Sequence, residues 1–163
     1  MNGHQKRVLD LLNENCRIPL EQMAVMLGMD IQEVAGIIDT LEKDGIILSY
    51  RPIINWDKAE RNMVEAMIEV KVTPQRDFGF DAVARRINNF EEVRGLYLMS
   101  GTYDLLIQVA APTLKELAQF VSERLSPLET VTGTSTSFVL KRYKQDGVVF
   151  DRQEEDRRLS VSP

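Results

Sequence analysis

The stretch Leu96-Tyr-Leu-Met-Ser-Gly-Thr-Tyr-Asp-Leu-Leu-Ile-Gln-Val109 constrains the fold of this chain more than any other. Two runs with alternating side-chain direction, Val93 to Met99 and Tyr103 to Val109, meet at Ser100-Gly101-Thr102. Successive side chains of a β-strand point to opposite faces, so each run offers one apolar face to a core. Val93, Tyr97 and Met99 share a face of the first run; Tyr103, Leu105, Ile107 and Val109 share a face of the second. The pattern predicts a β-hairpin, with Gly101 free to take the positive φ of a tight turn. Asp104 follows, its carboxylate beside open backbone amides. That arrangement reads either as a cap on the loop or as a receptor for the charged head of a small ligand.

The elements on either side tell where the hairpin belongs. Val64, Ala66, Ile68, Val70 and Val72 alternate with polar neighbours, giving a strand with one face in the core and one half-wet. Phe80, Val83, Ala84 and Ile87 space as a helix. Thr113 and Glu116 form a capping box ahead of a stripe of Leu114, Leu117, Ala118, Val121 and Leu125. Thr134, Thr136, Phe138 and Leu140 make a last strand. The order β-α-β-β-α-β is the ferredoxin-like split unit, an antiparallel four-stranded sheet with both helices on one face. Its other face needs a cover, and a second copy of the chain is the expected one.

The N-terminal third has helical spacing. Val8, Leu11 and Leu12 line one side of a first helix. Pro19 suits the start of a second, about Leu20 to Leu27, with Gly28 as its C-terminal glycine. Asp30 caps a third, with Glu33 in a capping-box arrangement, Val34, Ile37, Ile38 and Leu41 as its buried stripe and Gly45 as its stop. Ala24, Gly28 and Val34 fit a helix-turn-helix: a small residue for close approach, a glycine for the turn, a branched residue seating the third helix. The fold class is thus α+β, a winged-helix-like three-helix domain (1–50) followed by an extended linker (51–62). Beyond these lie a ferredoxin-like sandwich domain (63–143) and a tail (144–163), charged and polar from Asp151 to Pro163. Ile46 to Trp56 reads as a connecting strand interrupted at Pro52.

Composition narrows the function. Cys16 and His4 are the only residues of their types, which excludes a disulfide framework and a multi-histidine metal site within one subunit. No apolar run is long enough to cross a bilayer, and Met-Asn-Gly-His-Gln-Lys-Arg is not followed by a signal-peptide core, so the expected address is the cytoplasm. Residues 1–50 hold four basic residues against eight acidic ones, a net of −4 out of −5 for the chain.

A helix-turn-helix, an extended linker and a βαββαβ domain with Gly-Thr-Tyr-Asp in its hairpin resemble the Lrp/AsnC (feast/famine) family of transcription regulators. The resemblance covers nearly the whole chain and is most specific at Ile18 to Leu41 with Gly45-Ile-Ile, and at Val93 to Val109. It implies a homodimer joined through the C-terminal sheets, often assembled into tetramers or octamers. It also implies an amino acid or related metabolite bound between dimers near Ser100, Gly101, Tyr103 and Asp104. Thr134 and Thr136 are expected to line the same crevice. No cofactor is implied.

The chain departs from the family at the third helix. Ile37 stands where the family usually has an arginine, Asp30 replaces a capping serine, and Pro19 a Ser/Thr. Between Asp30 and Asp44 the only basic residue is Lys43, against five acidic ones. Affinity for DNA rests on neutralising phosphates, so this helix is a poor cation source. Outward-facing Gln32, Gly36, Asp39 and Thr40 are the candidate base contacts, with Lys6, Arg7, Arg17, Lys43 and Arg51 positioning the backbone. Two functions follow: an effector-responsive, sequence-specific DNA-binding regulator, or a metabolite-binding oligomer whose DNA binding has weakened or been lost. An enzyme is the third reading. Some relatives of this architecture decarboxylate haem precursors with histidine, and here no nucleophile-base pair assembles from spacing.

Overall fold

The computed structural model describes residues 1–73 and 79–150. The chain divides into two compact units, one covering residues 1–53 and one beginning at Ile54.

The first unit holds α1 (Gly3–Glu14), α2 (Leu20–Leu27) and α3 (Ile31–Lys43). Local chemistry sets each boundary. Asn2 and Gln5 form a reciprocal capping box on α1. Gly28 ends α2 at φ 66°, a left-handed conformation that a glycine adopts without Cβ strain. Asp30 caps α3 through the Gln32 N–H at 2.8 Å rather than through a reciprocal pair with Glu33. Val8, Met23, Ala24, Leu27, Val34 and Leu41 form the core, with Ile37 and Ile38 half-buried against it. The connecting strand expected over Ile46 to Trp56 does not form. Residues 46–55 run without a ladder partner and residues 56–60 turn, because a strand needs a neighbour and none within the unit is offered. Cys16 lies exposed in the turn after α1.

The second unit is the split β-α-β-β-α-β arrangement: β1 (Val64–Val72), α4 (Asp81–Asn88), β2 (Val93–Leu98), β3 (Leu105–Ala111), α5 (Leu114–Gln119) and β4 (Val131–Phe138). All pairings are antiparallel and the order is β2-β3-β1-β4. Ala66, Ile68 and Val70 of β1 and Leu105, Ile107 and Val109 of β3 are buried beneath Val83 and Ile87 of α4 and Leu117 and Phe120 of the second helix. The opposite face, with Glu65, Met67, Glu69 and Lys71 on β1, has no helix over it among the described residues.

Further expectations need correction. The hairpin has no tight turn: Met99 to Asp104 form a six-residue connection closed by Met99 N–H to Asp104 O at 2.8 Å, and Gly101 is not at positive φ. Val93 and Tyr97 do not share a face. A β-bulge at Arg94 pairs Val93 with Val109 but Gly95 with Gln108, which turns Tyr97 to the open side. The second helix leaves the α period after Gln119 and continues as a π-helical turn, Phe120–Leu125. Phe120 and Leu125 in the wider turn are buried, and Leu114 and Ala118 of the preceding α-helical part are exposed. Leu140 lies beyond β4 and is 96% exposed. In the expected tail, β5 (Lys144–Gln145) and β6 (Val148–Val149) form a small hairpin across Asp146-Gly147, both at positive φ. Asp151 to Pro163 lies outside the described residues. No helix among the described residues is long and apolar enough to cross a membrane.

Candidate functional site

The first unit carries a helix-turn-helix in α2 and α3. Gln32, Gly36, Asp39, Thr40 and Lys43 recur at helical spacing on the side of α3 away from buried Val34 and Leu41, and all five are exposed. The helix therefore presents one continuous exposed face. Thr40 has already committed its hydroxyl proton, donating to Gly36 O at 2.8 Å, which leaves its methyl as the uncommitted group. Ile37, at the position of the family's arginine, packs half-buried on the core and supplies no cation. Lys6 and Arg7 sit on α1, Arg17 in the following turn and Arg51 on the connector, all exposed and all away from α3 in the chain. The acidic charge of α3 is partly engaged. Asp30 is spent on its cap, and Glu42 accepts the Tyr50 hydroxyl at 2.8 Å. Burial, the hydrogen bond to Glu42 and the charge of that carboxylate push the Tyr50 phenol up to about 12.

On the open side of the second unit, a crevice of about 360 Å³ lies between the end of β1, the Met99–Asp104 connection and β4. Glu69 and Lys71 form its floor, Thr102 and Tyr103 one wall, Gly133, Thr134 and Ser135 the other. The register explains the hollow. Gly133 stands opposite Lys71 and Ser135 opposite Glu69, so the edge strand contributes only small residues where β1 carries charged ones.

Of the residues expected from sequence, Tyr103 and Thr134 line this crevice. Ser100 and Gly101 are exposed on the connection beside it and do not line it. Thr136 stands opposite Ile68, further along β4, and also lies outside it. Asp104 is occupied with the fold: its Oδ2 accepts the Val72 N–H at 2.9 Å, and its own N–H donates to Val70 O at 3.0 Å. Glu69 and Lys71 were missed because in sequence they are simply the wet residues of an alternating strand. A smaller hollow of about 70 Å³ lies between the Trp56–Met63 segment and Val139–Arg142, where Arg61 stacks on Trp56 and Arg142 pairs with Glu65.

A helix-turn-helix joined to a ferredoxin-like unit with a charged crevice on its open sheet face is the build of a ligand-responsive DNA-binding regulator. A family model described as the Lrp/AsnC ligand binding domain matches residues 65–149. A second, for a winged helix-turn-helix DNA-binding domain, matches residues 1–47. The chain belongs to the Lrp/AsnC family of DNA-binding transcriptional regulators. It is similar to the uncharacterized HTH-type transcriptional regulator YugG of Bacillus subtilis, at 47% identity over 98% of this chain and 96% of that one. It is 31% identical to the HTH-type transcriptional regulator LrpA of Pyrococcus abyssi over 88% of this chain and 99% of the relative. The same fold appears in a transcriptional regulator of Neisseria meningitidis solved in complex with L-Met, with a TM-score of 0.71, 21% identity, and coverage of 89% of this chain and 93% of that one. It recurs in the leucine response regulatory protein of Mycobacterium tuberculosis, with a TM-score of 0.74, 20% identity, and coverage of 90% and 97%.

Proposed function

We propose that this regulator binds operator DNA through α3 and that an amino acid held in the crevice above Glu69 and Lys71 sets its affinity for that DNA. The observation that carries the reading is the position of the crevice. It carries both signs of charge and is built entirely from residues within the segment that matches a ligand-binding domain. The Neisseria regulator of the same fold was solved with L-Met, which supports an amino acid as the class of effector. Gln32, Gly36, Asp39 and Thr40 are the base-facing residues in this reading. Phosphates are met by Lys6, Arg7, Arg17, Lys43 and Arg51, summed over the subunits of a homodimer or larger assembly. The open sheet face, with Tyr97 half-exposed and Met67 and Leu106 beside it, supports a second copy as its cover. The relatives that carry names are transcriptional regulators, which supports a regulator over an enzyme, acting in the cytoplasm where its DNA lies.

The test is fluorescence anisotropy of the purified protein on DNA from upstream of its own gene, against scrambled DNA, over a salt series with and without amino acids. Binding that survives competitor, weakens with salt and shifts with one amino acid supports the proposal. Equal affinity for scrambled DNA, or no binding at low salt, overturns it.

A further inference from the structure

The third helix carries a glycine that its own structure does not need. Gly36 lies in the interior of α3, exposed and on the side away from buried Val34 and Leu41. Its φ is not positive, and a Cβ built there would meet nothing within 4 Å beyond its two chain neighbours and the helix's own backbone. An alanine would therefore fit. It would also hold the helix better, since an interior glycine gives up more backbone freedom on folding. Gln32 stands one turn before Gly36 and Thr40 one turn after, with Asp39 alongside, all exposed. Between these side chains the surface of α3 falls to the bare backbone. The Thr40 hydroxyl donates to Gly36 O at 2.8 Å, which fixes that side chain and leaves its methyl uncommitted next to the gap.

We infer that Gly36 is where α3 comes closest to the operator, a notch that takes the C5-methyl of a thymine with the Thr40 methyl beside it. This rests on the reading of α3 as the operator-binding helix and adds which base is selected at this point and by which residues. Thymine is the base that shows an apolar group in the major groove, and a bare Cα and a methyl are the carbon surface that suits it. With no Cβ in the way, the helix backbone approaches the base edge by about the width of one methyl group more closely. The stability an alanine would add to α3 is given up for that approach.

Fluorescence anisotropy of the full-length protein on DNA from upstream of its own gene tests this, with the thymines of the bound segment replaced one at a time by uracil. Uracil differs from thymine only in lacking the methyl. The wild type is expected to lose about fourfold in affinity at one such position, the scale of one buried methyl. Thr40→Ser keeps the hydroxyl, loses the methyl and is expected to weaken binding by about the same factor. Gly36→Ala is expected to bind the unmodified DNA about tenfold or more weakly, yet to unfold at or above the wild-type temperature. Opposite signs in those two measurements separate a notch for DNA from a packing role in the fold. Uracil at the sensitive position is expected to cost Gly36→Ala nothing, because the methyl it removes no longer enters the notch. Full affinity or a lowered unfolding temperature in Gly36→Ala overturns this inference and leaves the operator reading standing. So does the absence of a sensitive thymine, or a uracil that costs Gly36→Ala as much as it costs the wild type. Failure of the wild type to bind this DNA overturns both.

Discussion

The carboxylate of Asp104 accepts the backbone N–H of Val72 at 2.9 Å, joining the start of β3 to the end of β1 by a side chain where the ladder has no further backbone pair. Beyond Val70 the two strands have no further paired residues. Asp104 therefore holds the Met99–Asp104 connection, and with it Tyr103, against the floor of the crevice.

Removing that carboxylate should be costly. Asp104→Ala leaves the amide of a buried strand residue without its acceptor and is expected to destabilise the second unit by about 1–3 kcal/mol. Asp104→Asn retains a side-chain oxygen and should cost well under half as much. Urea unfolding of the two variants checks the order. Equal stability of Asp104→Ala and the wild type would show the contact to be dispensable.

Tyr50 should titrate late. Its phenol is raised from 10.0 to about 12 by burial, by the hydrogen bond to Glu42 and by that carboxylate's charge. The folded state holds the proton more tightly than the unfolded state does. The associated stability is therefore fully present below pH 10.0 and is lost as pH rises through about 12. Ultraviolet phenolate absorbance should show one tyrosine fewer ionising in the ordinary range in the wild type than in Glu42→Ala, which removes both the hydrogen bond and the neighbouring charge. Identical titrations would contradict the pairing.

The reading face of α3 separates into groups that are free and groups that are not. Gln32 is exposed with its side-chain amide uncommitted, whereas the Thr40 hydroxyl donates to Gly36 O. Gln32→Ala should weaken operator binding by about 1–3 kcal/mol if its amide reads an adenine. Thr40→Val keeps the methyl and loses only a donor already spent, and its affinity should stay within about twofold of wild type, below 0.5 kcal/mol. Anisotropy on the same operator measures both.

The helix from Leu114 to Leu125 makes a packing prediction. Phe120 is 2% exposed and packs edge-on against Phe90 at 5.4 Å, with the Arg124 guanidinium over both rings. Phe120→Ala should cost about 3–5 kcal/mol, while Ala118→Gln at an exposed position should change stability by less than about 0.5 kcal/mol. Thermal unfolding of the pair checks the contrast.

Features decided by near neighbours were readable in the chain. Gly28 and Asp30 punctuate α2 and α3 by conformational freedom and capping, and the alternation from Val64 to Val72 marks β1 and its buried side. Features that depend on a distant partner were not. The bulge at Arg94 exists only relative to β3, and it cancels the even spacing that seemed to place Val93 beside Tyr97. The residues from Ile46 to Trp56 have β-forming side chains but no strand to pair with. The hairpin across Asp146-Gly147 is a different case: that dipeptide is a local turn signal, but it joins strands of only two residues each, too short to show an alternating pattern. The site divides in the same way. The Gly-Thr-Tyr-Asp stretch pointed to the connection that forms one wall, but the crevice itself comes from β4 lying beside β1 in one register. No local pattern shows that Gly133 will face Lys71.

The π-turn also bears on how this protein is compared with others. A turn that holds more residues than the α period requires has room to lose one and return to that period. The chain can lose that residue between Phe120 and Leu125 and still bring Leu117 and Leu125 to the same core. Single-residue gaps at this point in relatives should therefore be read as neutral length drift, and a residue-by-residue match carried through them will misassign which side of the helix is inside.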